Sequence, residues 1–566
     1  MDALLNPRLR QNALSKRLLV SLLLLFSGTV QAQAQAIPDA GQLLGDIQRS
    51  DKEISARPAT PDLIEPAAPR PAIRLPEGVK IEVQRFRVTG NKSISSDLLA
   101  GLVKPWQGQE LDVNSLNDAA GAITRHYQSQ GFLLAYAYLP AQKIEQGVVE
   151  IAVLEGTVDQ VQIVTAQDIR LKDEVIQRHV EDITQSPQIL QADLERRLLL
   201  LNDIPGVVAR AAFTPGARPG TADIVVTVAE EEPLANFVDF NKHGSESTGE
   251  YRLGATFHLN NLFGYGDSTR FRLQASEQGR LVNGSLNTRV PLGGNGWSAE
   301  AGLSHLTYEL GPPFATLGAR GEADVFHLGL NYALQRSLNA NLNLKVSYDF
   351  KDLEDTVVFV GSNQKHSHQL GFGYSASNRD TFWGGGQTLS SLDLTFGSLA
   401  WDSGNTTGLS ASGHFSKFNF DVSRRQSLGG KWSLLTRLFG QYAFDPLDSS
   451  EKQGLSGPYG VRAYAPGEAS VDRGSQLALE IRRYWLLPGG TLNASLFYDY
   501  ARGTFDVEPT AGVDNTVTLR GGGLGIGWSD GGLLDLSLTA AWRGQRAPSS
   551  GDDRKPYLYF QINQGF

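Results

Sequence analysis

The stretch Tyr557-Leu-Tyr-Phe-Gln-Ile-Asn-Gln-Gly-Phe566 closes the chain on a two-residue period. Drawn as a strand, it puts Leu558, Phe560, Ile562 and Phe566 on one face and Tyr559, Gln561 and Asn563 on the other. The same period recurs upstream. Leu534, Leu536, Leu538 and Ala540 oppose Asp535, Ser537 and Thr539, while Thr269, Phe271, Leu273 and Ala275 oppose Arg270, Arg272, Gln274 and Ser276. A water-soluble sandwich would bury the apolar face in its core. A membrane barrel turns that face to lipid and hides the polar one in a lumen. Two arginines on one polar face favour the lumen.

This texture, rich in glycine and polar turns, runs over residues 234–566. At roughly 20 residues per strand and connection it predicts about 16 strands. The terminal aromatic, Phe566, resembles the assembly signal of bacterial outer-membrane barrels. Trp297, Trp485 and Trp542 suit the aromatic girdles of such a barrel. Gly521-Gly-Gly-Leu-Gly-Ile-Gly527 lacks the dinucleotide fingerprint and reads as a strand of small residues.

Upstream lie five shorter zones. Residues 1–36 combine Arg8, Arg10, Lys16 and Arg17 with the apolar run Leu18–Phe26 and a repeated Ala-Gln-Ala, the pattern of a secretory signal peptide. Residues 37–56 form a short helix with Leu43, Leu44 and Ile47 on one stripe. Residues 57–79 are a proline-rich, extended linker. Residues 80–156 read as strand, helix, helix, strand, strand: Ile81–Val88, a helix through Leu102, a helix bearing Leu116, Ala119, Ala120, Ile123 and Tyr127, then Leu133–Leu139 and Val148–Leu154. Residues 158–232 repeat that order, and Ala229-Glu-Glu-Glu232 reads as a solvated connection to the barrel.

Removing the leader takes away four bases and one acid, so the net charge moves from −9 to −12. No basic block remains to track a phosphate backbone, which excludes nucleic acid as the expected partner. Without cysteine there is no disulfide or thiolate site. His366 and His368 share a strand face, but no third ligand is apparent and Leu370, Phe372 and Tyr374 lie on the same face. They read as a membrane-interface pair, so no metal, cofactor or nucleotide is expected.

The most specific pattern joins a loop of about 444–474, between the alternating segments Lys431–Ala443 and Ser475–Trp485, to a later strand, and a loop this long is seldom idle. The loop carries Gly460-Val-Arg-Ala-Tyr-Ala-Pro-Gly-Glu468, and a later strand carries Phe497-Tyr-Asp-Tyr-Ala501. Leu492, Ala494, Leu496 and Tyr498 take the lipid face there, so Asp499 takes the lumen face. An inward carboxylate needs a partner, and the planar guanidinium of Arg462 suits one.

These residues resemble the outer-membrane transporters of two-partner secretion, the haemolysin secretion/activation family. The family's Val-Arg-Gly-Tyr/Phe loop is matched by Val461, Arg462, Ala463 and Tyr464, and its Phe-x-Asp-x-Gly strand by Phe497 and Asp499. Ala463 and Ala501 stand where the pattern has glycine, and alanine lacks ready access to positive φ. The resemblance covers essentially the whole chain after the leader and implies a membrane all-β fold. It comprises a β-barrel, two periplasmic βααββ POTRA domains and an N-terminal plug helix. It further implies a non-enzymatic transporter in the outer membrane. Its partners would be a large secreted exoprotein of adhesin or cytolysin type encoded next door, the barrel-assembly machinery and the lipid bilayer. A barrel-assembly factor of the same superfamily is the nearest alternative, and a passive porin, which needs no periplasmic repeats, is the next. No catalytic set is expected, because a paired carboxylate and a permanently charged guanidinium are poor proton carriers.

Overall fold

The computed structural model describes residues 37–54, 63, 80–185, 190–218, 220–231, 236–403, 412–509, 512–544 and 546–566. The expected signal peptide and most of the proline-rich linker lie outside the described residues.

Two small α/β units precede the barrel. In the first, the strands Arg85–Thr89, Val148–Leu154 and Tyr136–Tyr138 form a three-stranded sheet. Helices Ser96–Val103 and Val113–Ser129 pack on it, the second through Leu116, Ala119, Ala120, Ile123 and Tyr127, all buried. Three local readings need correction. The Ile81–Val88 strand breaks at Gln84, because the Gly147 carbonyl accepts from both Gln84 N (2.8 Å) and Arg85 N (3.3 Å). The piece before the break, Ile81–Val83, pairs instead with Gln109–Leu111, a strand that sequence periodicity missed. Leu133–Leu139 shortens to Tyr136–Tyr138.

Glu155 closes the first unit. It accepts from Lys92 N (2.6 Å), Ser93 N (2.6 Å) and Tyr127 Oη (2.9 Å). Burial alone would raise its pKa, but these donors outweigh burial and hold the carboxyl below its usual range.

The second unit repeats the plan. Its sheet has the order Thr157–Thr165, Thr221–Glu230, Val207–Pro215, and helices Asp173–Gln185 and Gln191–Asn202 cover one face. Glu230 stands where Glu155 does in the first unit. It accepts from Arg170 N (2.6 Å) and Asn261 Nδ2 (3.1 Å), so it fastens this unit to the first barrel turn rather than marking a solvated connection. Arg336 of the barrel holds Asp203 bidentately (2.7 and 2.9 Å), and Arg196 donates to the Ala333 carbonyl (2.6 Å). The second unit is therefore docked on the barrel's short turns.

The barrel closes with sixteen antiparallel strands among the described residues. Its seam joins Phe237–Asn241 to Tyr557–Gly565, with Asn241 opposite Gln561. Alternation assigns the faces. On the strand Gly490–Thr504, Leu496 and Tyr498 are 60% and 45% exposed, while Phe497 and Asp499 between them are 4% and 2% exposed. An outer face of this kind is stable only against hydrocarbon. Trp297 begins a strand on the side carrying the two units, Trp485 lies two residues before the end of another there, and Trp542 lies near the far rim. His366 and His368 point outward, the first to Asp402 (2.7 Å) and the second to the Tyr348 hydroxyl (2.8 Å).

Candidate functional site

Two elements occupy the lumen: the loop 444–472, which enters from the far side, and the helix Ala40–Ile54. The loop tip carries the Val461–Tyr464 motif to the opposite wall. Arg462 donates to both oxygens of Asp499, from Nε (2.9 Å) and one terminal nitrogen (2.8 Å), and its backbone N–H adds a third bond (3.1 Å). Its other terminal nitrogen reaches Glu480 (2.9 Å), which also accepts from Arg482 (2.6 Å). The guanidinium lies 3.5 Å above the centre of the Phe497 ring. Two cations and two carboxylates thus balance in a nearly dry cluster.

Apolar packing fixes the same contact. Val461, Ala463, Tyr464, Phe497 and Ala501 share one buried cluster with Val517, Leu519 and Ala541. Tyr464 is sealed by Tyr559, whose hydroxyl donates to the Tyr464 carbonyl (2.9 Å). Ala463 keeps a negative φ, so the turn does not require glycine. The space comes from across the contact: a Cβ at Gly521 would lie 2.2 Å from the Ala463 Cβ. Phe566 sits at the barrel seam on the lipid side, with its N–H bonded to the Asn236 carbonyl (3.0 Å) and its ring 6.1 Å from that of Phe257.

The base of the loop is held by a second charged cluster. Glu451 accepts from Lys351 (2.7 Å), Lys417 (2.7 Å) and Gln369 (2.6 Å), and Asp448 from Lys365 (2.9 Å). The lysines stand at inward positions on three wall strands, Ala340–Val357, Gly361–Asp380 and Gly413–Gly429. Charge pairs at both ends therefore brace the loop across the lumen.

The helix lies between loop and wall. Ala40, Leu43, Leu44 and Ile47 pack on a wall patch that includes Leu281, Leu306, Tyr308 and Leu353. Its other face meets the loop: Arg49 donates to the Gly454 carbonyl (2.8 Å), and Ser50 shares a hydrogen bond with Tyr459 (3.1 Å). A Cβ at Gly41 would lie 2.3 Å from that of Ser450, so this glycine permits the close approach. Near the other end Asp51 reaches Arg272 (3.0 Å), which also holds Asp239 (2.8 Å).

A family model described as "Haemolysin secretion/activation protein ShlB/FhaC/HecB" matches residues 220–527, more than half of the chain. The chain belongs to this family. A ShlB-type POTRA model matches residues 81–156. The heme/hemopexin transporter protein HuxB of Haemophilus influenzae is 29% identical over 92% of this chain and 94% of its own length. Two solved structures share the fold. CdiB from Escherichia coli has a TM-score of 0.67 at 19% identity, covering 94% of this chain and all of that one. BamA from Haemophilus ducreyi, lacking POTRA domains 1–3, has a TM-score of 0.53 at 15% identity, covering 86% and 100%. As a member of the haemolysin secretion/activation family, the protein is an outer-membrane transporter that secretes a partner protein through its barrel, with its POTRA domains in the periplasm.

Within this family fold, sequence reading brought Arg462 to Asp499 but missed Glu480, Arg482, Glu451 and the three lysines. Two signals were available. Glu480 occupies a lumen position on an alternating strand, and Asp448-Ser-Ser-Glu451 puts two acids at the mouth of a loop facing inward lysines. Neither signal names the partner, because strand register and loop path decide it.

Proposed function

We propose that the two POTRA units receive an unfolded client in the periplasm, partly by adding its strand to a sheet edge. The helix Ala40–Ile54 closes the resting pore, and the braced loop shapes the route past it. The client is a large exoprotein of adhesin or cytolysin type, encoded beside this gene. The barrel-assembly machinery inserts the transporter into the bilayer. Folding of the client outside the cell supplies the direction, and the polar lumen spares its backbone from hydrocarbon.

One observation carries this reading. The lumen is filled by a helix joined to the rest of the chain through a linker and held by non-covalent contacts, so it can withdraw without breaking a barrel strand. Removing residues 80–156 is expected to abolish secretion while residues 236–566 still run as a heat-modifiable barrel. Persisting secretion would move client capture to the second unit or the barrel.

A further inference from the structure

The strand Val207–Pro215 is the outer edge of the second POTRA sheet, with its other side paired to Thr221–Glu230. An open edge invites another strand. Much of this one is already closed. Val207 N–H is taken by the Ile204 carbonyl (3.0 Å). The Asn202 amide imitates a backbone, accepting from Ala209 N (3.0 Å) and donating to the Ala209 carbonyl (2.9 Å). At the next outward position, Ala211 N–H donates to the carbonyl of Leu63, from the proline-rich linker (2.9 Å). Leu63 is 4% exposed and joins the core of this unit with Ile176, Leu198 and Ala209. Small side chains at Ala209 and Ala211 leave room for it.

We infer that the edge from Ala211 to Pro215 is a docking site for an extended segment with a large aliphatic side chain, and that Leu63 fills it at rest. The client takes the site by displacing Leu63. This rests on the POTRA units being the client receptor.

The linker suits the part of a displaceable occupant. Pro58, Pro61 and Pro66 flank Leu63, and proline has no N–H with which to extend a ladder. A client strand free of proline can pair further along the same edge. Displacement also lengthens the tether of the lumen helix. From Ile54 the chain spans nine residues to Leu63 but 26 to Lys80. At about 3.1 Å per extended residue, the reach grows from about 28 Å to about 80 Å. Client capture is thereby coupled to release of the helix.

The absence of cysteine makes the test clean. Leu63→Cys with Ala211→Cys, in the full chain in cells, is expected to cross-link in the oxidising periplasm and to lower secretion at least about tenfold. Reductant, or either single cysteine alone, should restore it. In the purified full chain, Leu63→Ala should speed hydrogen exchange of the Ala211 amide at least about tenfold, since the buried side chain that holds the residue 63 carbonyl against this amide is gone. Normal secretion by the cross-linked protein, or unchanged exchange at Ala211, overturns the inference. If the cross-link is harmless while deletion of residues 80–156 stops secretion, the docking site is wrong and the receptor reading stands. If neither matters, both fall.

Discussion

The loop and the helix fill one lumen by opposite physics. The loop is fixed at both ends in barrel strands, and its inner contacts are buried ion pairs: Arg462 with Asp499 and Glu480, and Glu451 with two lysines. The helix rests on an apolar stripe, on hydrogen bonds from Arg49 and to Asp355, and on an ion pair near each end, Asp39 with Lys365 (3.9 Å) and Asp51 with Arg272 (3.0 Å). When it leaves, Lys365 keeps Asp448 and Arg272 keeps Asp239. Breaking a buried ion pair strands a charge at a cost of about 3–5 kcal/mol, whereas an apolar stripe can leave and be hydrated again. The loop is built to stay and the helix to go.

The largest expected effect tests the first half of that contrast. Arg462→Ala strands Asp499 and leaves Glu480 with Arg482 alone, and it should nearly abolish secretion, with barrel levels in the membrane little changed. Asp499→Ala should be milder, because Glu480 still holds the guanidinium. The double variant should match Arg462→Ala rather than add to it. Effects that simply add on immunoblots of secreted client would break the idea of one shared contact.

Next comes the base of the loop. Glu451→Ala takes the carboxylate from Lys351 and Lys417, although Lys417 keeps the main-chain carbonyl of residue 451 (2.9 Å), so limited proteolysis from the cell surface should begin to cut within 444–472, with a partial loss of secretion. Equal protection in the variant and the parent would mean that the tip alone holds the loop.

Deleting residues 37–57 probes the second half. Conductance in planar bilayers should rise while the loop stays protease-resistant. Unchanged conductance would place the resting block in the loop, and a loop that loosened at the same time would erase the distinction between the two.

The smallest effect serves as a control outside the lumen. The Glu155 pKa is depressed in the folded state, so its contribution is present above the ordinary carboxylate range and lost as pH falls below that range through the depressed folded value. Glu155→Gln should flatten the acid side of the first POTRA unit's stability without altering conductance at neutral pH.

How much of this was legible follows from what each feature depends on. The period of two fixed which side chains face the lumen, so Asp499 could be placed from Leu496 and Tyr498 alone. The helix stripe of Leu43, Leu44 and Ile47 was equally local. Glu480 and Glu451 were not, because their partners are chosen by where a long loop runs between distant strands. Gln84 shows the same limit on a smaller scale: an alternating octet was split by one carbonyl, Gly147, reaching in from another segment.

Gly521 and Ala463 carry a final consequence. The wall and the loop tip meet so closely that one methyl group fits between them and two do not. The methyl can sit only on the loop partner, because a Cβ at Gly521 would also lie 2.9 Å from the Trp542 carbonyl oxygen on the next wall strand. The wall position is therefore closed to any side chain, whatever the loop carries. Of the two sites only the loop tip can trade glycine for alanine, and the wall sets the upper limit on what it may become.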